Sequence, residues 1–129
     1  MSRTTINRLL RGYAESIGYG YDSEIIPRAL AGGTQYPYIL WVAPTSDTDG
    51  AKRIFKYPST IYIVGDAGER NVSELLDELQ VCALGIYEAL QSNKTYTDRS
   101  FRCEPMTDFD NSTAHGLKVT INIYYDGGC

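Results

Sequence analysis

The chain has 129 residues, enough for one hydrophobic core and too few for two ordinary domains. A hydrophobic fraction of 43% and a charged fraction of 22% are close to globular averages and argue against disorder, collagen-like repeats or a coiled-coil rod. The formal net charge of −4, without a lysine- or arginine-rich block, gives counterion release little to act on and argues against sequence-specific DNA binding.

No apolar run approaches the roughly 20 residues of a membrane-spanning helix. The start, Met1-Ser2-Arg3-Thr4-Thr5-Ile6-Asn7, lacks the basic and apolar regions of a secretory signal, so synthesis in the cytosol is expected. Cys82, Cys103 and Cys129 are widely spaced and odd in number, which suits neither a disulfide framework nor a zinc site, and they read as reduced thiols. Tyrosine is abundant, with 11 against 3 phenylalanines and 1 tryptophan. Its apolar ring and polar tip serve half-buried strands and subunit interfaces equally well, so this enrichment permits an interface without requiring one.

In chain order, Ile6, Leu9, Leu10, Tyr13 and Ile17 recur at helical spacing, with Thr4 or Thr5 as N-cap and Gly18 as the stop. Residues Gly18 to Gly33 read as a connector that packs by its aromatics, with an apolar patch at Ile25-Ile26 before Pro27. Tyr36 to Ala43 is a nearly continuous aromatic and β-branched run, expected as a central strand covered on both faces with Pro37 at its start. The polar stretch Pro44 to Gly50 reads as a loop. Lys52 to Val64 reads as the returning strand, with a bulge or edge position expected at Tyr57-Pro58.

Gly65-Asp66-Ala67-Gly68 turns the chain, and Asn71 followed by Glu74 marks a helix start. Val72, Leu75, Leu76, Leu79, Ala83, Ile86 and Leu90 form one stripe, with Cys82 near it as a small core residue. That helix spans roughly five turns, enough to cross a small sheet. Gln91 to Arg99 reads as a polar connector, Ser100 to Met106 as a strand, and Asp108 to His115 as a turn. The final strand alternates: Leu117, Val119, Ile121, Ile123 and Tyr125 face one side, Lys118, Thr120, Asn122 and Tyr124 the other. The assembled expectation is an α+β domain over residues 1–129. Its mostly antiparallel four-stranded sheet carries a long amphipathic helix on one face and an N-terminal helix.

Chemistry is sparsely signalled. His115 is the single histidine, and with Ser112 and Asp110 beside it in sequence it reads as part of a turn rather than as a general base. Gly65-Asp66-Ala67-Gly68-Glu69 lies between a strand and a helix but lacks the dinucleotide glycine pattern and the Walker lysine. Asp108, Asp110 and Asn111, and separately Asp47 and Asp49, offer oxygen ligands without calcium-loop spacing. No cofactor, metal or reaction is assigned, and a small enzyme or ligand-binding domain using the Gly65 loop or His115 is the competing reading.

The order of elements resembles the tail terminator (tail-completion, neck) proteins of long-tailed bacteriophages. The resemblance rests on the helix Thr4 to Ile17, the strand Tyr36-Pro37-Tyr38-Ile39-Leu40-Trp41-Val42 and the strand-loop-helix Ser59 to Leu90. The closing segment Glu104 to Asn111, then Gly116 to Ile123, is its most telling part, because such proteins often end in a polar turn, a glycine and an alternating strand. The resemblance implies no enzyme. It implies a virion protein, assembled in the bacterial cytoplasm, that forms a ring usually of six copies. Such a ring caps the tail tube, meets the head connector and lets DNA pass without specific binding; a head-closure or minor tail protein is the alternative. A ring of identical copies uses two different patches. The polar face of the last strand, with Thr120, Asn122 and Tyr124, is one candidate, and the loop bearing Asp47, Asp49, Lys52 and Arg53 is the other.

Overall fold

The computed structural model describes residues 2–24, 37–68, 71–106 and 114–128. Along the chain these form α1 (Ser2–Ser16), β1 (Gly20–Ser23), β2 (Tyr38–Val42), β3 (Asp47–Asp49), β4 (Ile54–Asp66), α2 (Val72–Ala89), β5 (Thr95–Thr97), β6 (Arg102–Met106) and β7 (Ala114–Asp126). The class is α+β and the sheet mostly antiparallel, as expected, but it has seven strands rather than four and is mixed, because β1 and β2 pair in parallel. Its main order is β1-β2-β4-β7-β5, with β3 added to β4 and β6 added to β7.

The four expected strands are present as β2, β4, β6 and β7; the other three are short and lie inside segments read as connectors. β1 falls in the Gly18 to Gly33 stretch and pairs with β2 in parallel, β3 falls in the Pro44 to Gly50 loop, and β5 falls in Gln91 to Arg99. Strands of 3 or 4 residues carry too little alternation to be read from sequence, and they form because long neighbours offer them unpaired backbone. The Ile25-Ile26 patch and most of the Asp108 to His115 turn lie outside the described residues, but Ala114 and His115 belong to β7 and not to the turn.

β4 and β7 form the spine, paired in register over 13 residues from Ile54↔Asp126 to Asp66↔Ala114. Pro58 sits in this ladder opposite Asn122 without a bulge in the register. Its place is explained on the other side of β4, where pairing with β3 ends at Lys56 and pairing with β2 starts at Thr60. A residue without an N–H is tolerated where one side of the strand has no partner.

One face of the sheet carries both helices. Ile39 and Trp41 of β2, Ile61 and Ile63 of β4, and Leu117, Val119, Ile121 and Ile123 of β7 are buried against Ile6, Leu10 and Ala14 of α1 and Leu75, Leu79, Cys82, Ala83 and Ile86 of α2. On the opposite face of β2 Leu40 is also buried, whereas Tyr38 and Val42 are half-buried, so the expected cover on both faces is complete only at the strand's centre. The α1 face is centred one residue away from the expected stripe, with Ala14 buried and Ile17 exposed beyond the last turn. Gly18 ends α1 at φ +76, a conformation costly for other residues, and the Tyr19 N–H closes on the Ala14 carbonyl at 2.8 Å.

α2 starts as its sequence indicated: Asn71 Oδ1 accepts the Ser73 N–H at 2.8 Å and Glu74 lies in the first turn. Two contacts fix the helices to the sheet and to each other. Arg3 of α1 donates to Glu24 at 2.7 Å and to the Ala43 carbonyl at 2.8 Å while its guanidinium stacks 5.0 Å from the Tyr57 ring. Tyr13 of α1 lies over Gly85 of α2, where any side chain would overlap its ring.

Candidate functional site

The face of the sheet away from the helices is where the expected interface residues come together. Residues directly opposite one another on paired strands share a face. The registers Asp47↔Lys56, Lys56↔Tyr124 and Tyr96↔Tyr124 therefore line up four side chains across β3, β4, β7 and β5. Three strand spacings make this row about 14 Å long. It runs through a groove of about 340 Å³ lined by Asp47, Thr48, Asp49, Lys52, Ile54, Lys56, Tyr96 and Tyr124.

The groove has an aromatic floor. Tyr96 and Tyr124 stack with centroids 4.9 Å apart and planes 8° from parallel. Tyr124 is fixed from behind by Asp98, whose Oδ1 accepts its hydroxyl at 3.0 Å while Oδ2 accepts the Asn122 side-chain amide at 2.8 Å. Burial, then the hydrogen bond to the Asp98 carboxylate and its charge, push the Tyr124 hydroxyl above the usual tyrosine range.

The rim belongs to the β3–β4 hairpin. Asp49 Oδ1 accepts the Lys52 N–H at 3.0 Å, which closes the turn, and Arg53 completes it at φ +56 with its carbonyl accepting the Gly127 N–H at 2.8 Å. The stretch Pro44 to Gly50, read as a loop, thus contributes β3 to a hairpin whose turn is tied to Gly127, just past β7.

Of the seven residues singled out from sequence, Asp47, Asp49, Lys52 and Tyr124 line this one groove, and Asn122 joins it through Asp98. Arg53 serves the hairpin turn. Thr120 is exposed farther along β7, across from Arg102 of β6. The sequence reading missed Tyr96, Lys56, Ile54 and Asp98. The triplet Thr95-Tyr96-Thr97 did carry a signal, since two β-branched residues around an aromatic have strand propensity, and both threonines are buried while the ring is 39% exposed.

The alternative sites have different surroundings. His115 lies within β7 opposite Gly65, and Asp66 Oδ1 accepts the Gly68 N–H at 2.9 Å, so a carboxylate occupies the Gly65 turn. Among the described residues, no three His, Cys, Asp or Glu side chains gather in a group able to hold a metal ion. Asp108, Asp110 and Asn111 lie outside the described residues.

No family model and no curated protein matches the chain. Among solved structures it is similar to a chain from the virion of a native gene transfer agent particle. That match has a TM-score of 0.51 and 14% sequence identity, and it covers 95% of this chain and 92% of that one. At this identity the likeness is one of fold, and it runs over nearly the whole of both chains.

Proposed function

We propose that this chain is a structural protein of a phage-like virion. In this reading it forms a ring of its own copies at the neck, where it closes the tail tube and meets the head connector. The observation that supports this most is the fold shared with a chain of a gene transfer agent virion, over 95% of this chain and 92% of that one. The stacked Tyr96–Tyr124 groove adds physical support. Aromatic side chains held rigid by neighbours lose little conformational freedom on contact, which is what a subunit interface requires.

Binding replaces chemistry in this role, and no residue is assigned a catalytic step. A ring around a DNA channel works best with weak attachment to phosphate, and the net charge of −4 is compatible with passage of DNA. The partners are a second copy of the chain, the tail tube protein and the head-side connector. Assembly takes place in the bacterial cytoplasm and the product resides in the virion.

Light scattering over a range of concentrations, with negative-stain microscopy of the same samples, tests the reading. The expected result is a closed ring of defined mass. A chain that stays monomeric at all concentrations and joins neither tail tubes nor virions contradicts it.

A further inference from the structure

The N-terminal helix carries basic groups that neither the core nor the tyrosine groove uses. Thr4, Asn7, Arg8 and Arg11 recur at helical spacings of three and four residues and so share one face of α1, beside the face that buries Ile6, Leu10 and Ala14. Ser23 of β1 joins them, and the five residues line a cavity of about 360 Å³. That size lies within the range of small-ligand sites, roughly 300–1,000 Å³.

Every side chain in this lining can donate a hydrogen bond, and none is a carboxylate. Tyr21 of β1 sets two of them. Its hydroxyl donates to Asn7 Oδ1 at 2.6 Å, which takes the amide's acceptor and leaves its NH2 group to donate. Its ring lies under the Arg11 guanidinium, 5.6 Å from the centroid.

The positive charge here is not neutralised by the neighbouring acids. Arg8 and Arg11 make no ion pair among the described residues. Glu24 is held by Arg3 at 2.7 Å. Asp22 alternates along β1 to the face opposite Tyr21 and Ser23, where its Oδ1 accepts the Ser23 N–H at 2.8 Å. Glu15 follows Arg11 by one turn, the weaker order for a helical pair, and is exposed. Residues 1–36 hold 4 arginines against 3 carboxylates in a chain of net charge −4, so the basic character is local to this end.

We infer that this cavity binds a phosphate group, borne by a nucleic-acid backbone or by free phosphate and its small esters. Guanidinium forks match the oxygens of a phosphate and pair with its charge. Donors from Thr4, Asn7 and Ser23 add to the two guanidinium groups, and this set is better filled by the three or four oxygens of a phosphate than by the two of a carboxylate. Contacts of this kind hold a backbone in place and read no base sequence. The site is a property of the single chain and does not depend on ring formation.

Thermal unfolding followed by circular dichroism tests it, with inorganic phosphate titrated against sodium chloride of equal ionic strength. Phosphate also stabilises folded proteins by exclusion from their surface, but that part does not saturate and is common to all variants. Wild type is expected to show a further, saturable rise in midpoint. Arg8→Gln, at an exposed position that the fold does not need, is expected to bind phosphate about tenfold or more weakly, as the loss of charge-assisted hydrogen bonds implies. Arg11→Gln is expected to do the same. Arg102→Gln removes the same charge from an exposed position on β6 and is expected to keep the saturable rise.

A short oligothymidylate that competes with phosphate in wild type and not in Arg8→Gln would uphold the site and assign it to a nucleic-acid backbone. Saturable phosphate binding without such competition would uphold it and assign it to free phosphate or small esters. Binding equal in wild type, Arg8→Gln and Arg11→Gln would overturn the inference, as would binding lost equally in Arg102→Gln. A wild type that shows no saturable response to phosphate or oligothymidylate would overturn it too. None of these outcomes bears on whether the chain assembles, which light scattering reads separately.

Discussion

Asp98 and Tyr124 are 26 residues apart, yet the Asp98 carboxylate accepts the Tyr124 hydroxyl at 3.0 Å and so decides how the tyrosine lies on Tyr96. The same carboxylate takes the Asn122 amide at 2.8 Å, so a residue of the β5–β6 connection orders two outward side chains of β7. Asp98→Ala removes both bonds. The expected cost in stability is about 1 kcal/mol, because these groups are only partly buried and water replaces part of what is lost. Assembly is expected to weaken more than stability, since the tyrosine pair loses its fixed orientation. Urea unfolding compared with concentration-dependent light scattering separates the two effects.

Trp41 supplies a test of the core that reports on itself. Its indole N–H donates to Ser59 Oγ at 2.9 Å, and that hydroxyl donates to the Tyr57 carbonyl at 2.8 Å, all within the buried interior. Ser59→Ala leaves a buried N–H without this acceptor and is expected to cost about 1–3 kcal/mol. Trp41 is the single tryptophan, so its fluorescence follows the unfolding transition without labels.

The helix pair yields a prediction that changes sign. Gly85→Ala places a methyl group where the Tyr13 ring lies, and overpacking of this kind costs about 1–3 kcal/mol. Alanine is also the better helix former by about 1 kcal/mol, a gain hidden while the tyrosine is present. In a Tyr13→Ala background, Gly85→Ala is therefore expected to stabilise. Denaturation of the four members of this cycle measures it, and destabilisation in both backgrounds would contradict the contact.

Stability is expected to fall in alkali. Burial pushes the Cys82 thiol up from 9.0 to about 11, with the hydrogen bond from Tyr13 pulling it part of the way back. Burial first, then the neighbouring Cys82, raise the Tyr13 hydroxyl from 10.0 to about 12. The folded state thus keeps protons that the unfolded chain releases. The contribution is fully present below pH 9.0, where both groups are protonated in either state, and is lost as the pH rises through 11 and 12. Denaturant midpoints from pH 8 to 11 test this, and Cys82→Ala is expected to flatten the decline.

What could be read from sequence depended on length and periodicity. The helix from Val72 to Ala89, with its Asn71 cap, and the 13-residue β7 were legible because many residues repeat one period. β1, β3 and β5 were not, because 3 or 4 residues supply no period and each strand exists by pairing with a longer one. The site divides the same way. Asp47, Asp49, Lys52 and Tyr124 were singled out as two separate patches, and only the pairing of β3, β4, β7 and β5 makes them one groove. Tyr96 and Asp98 lay in a stretch read as a polar connector, and their role depends on contacts with β7 more than 20 residues away.

A protein that closes the tail at the neck of a phage-like virion must be found at that place in the particle. Particles carrying a tagged copy, labelled with gold and imaged by electron microscopy, are expected to show label at a single level between head and tail. Isolated tail tubes are expected to carry a ring at one end. Label spread along the tube, or particles that assemble fully with none of the chain in them, would contradict the account.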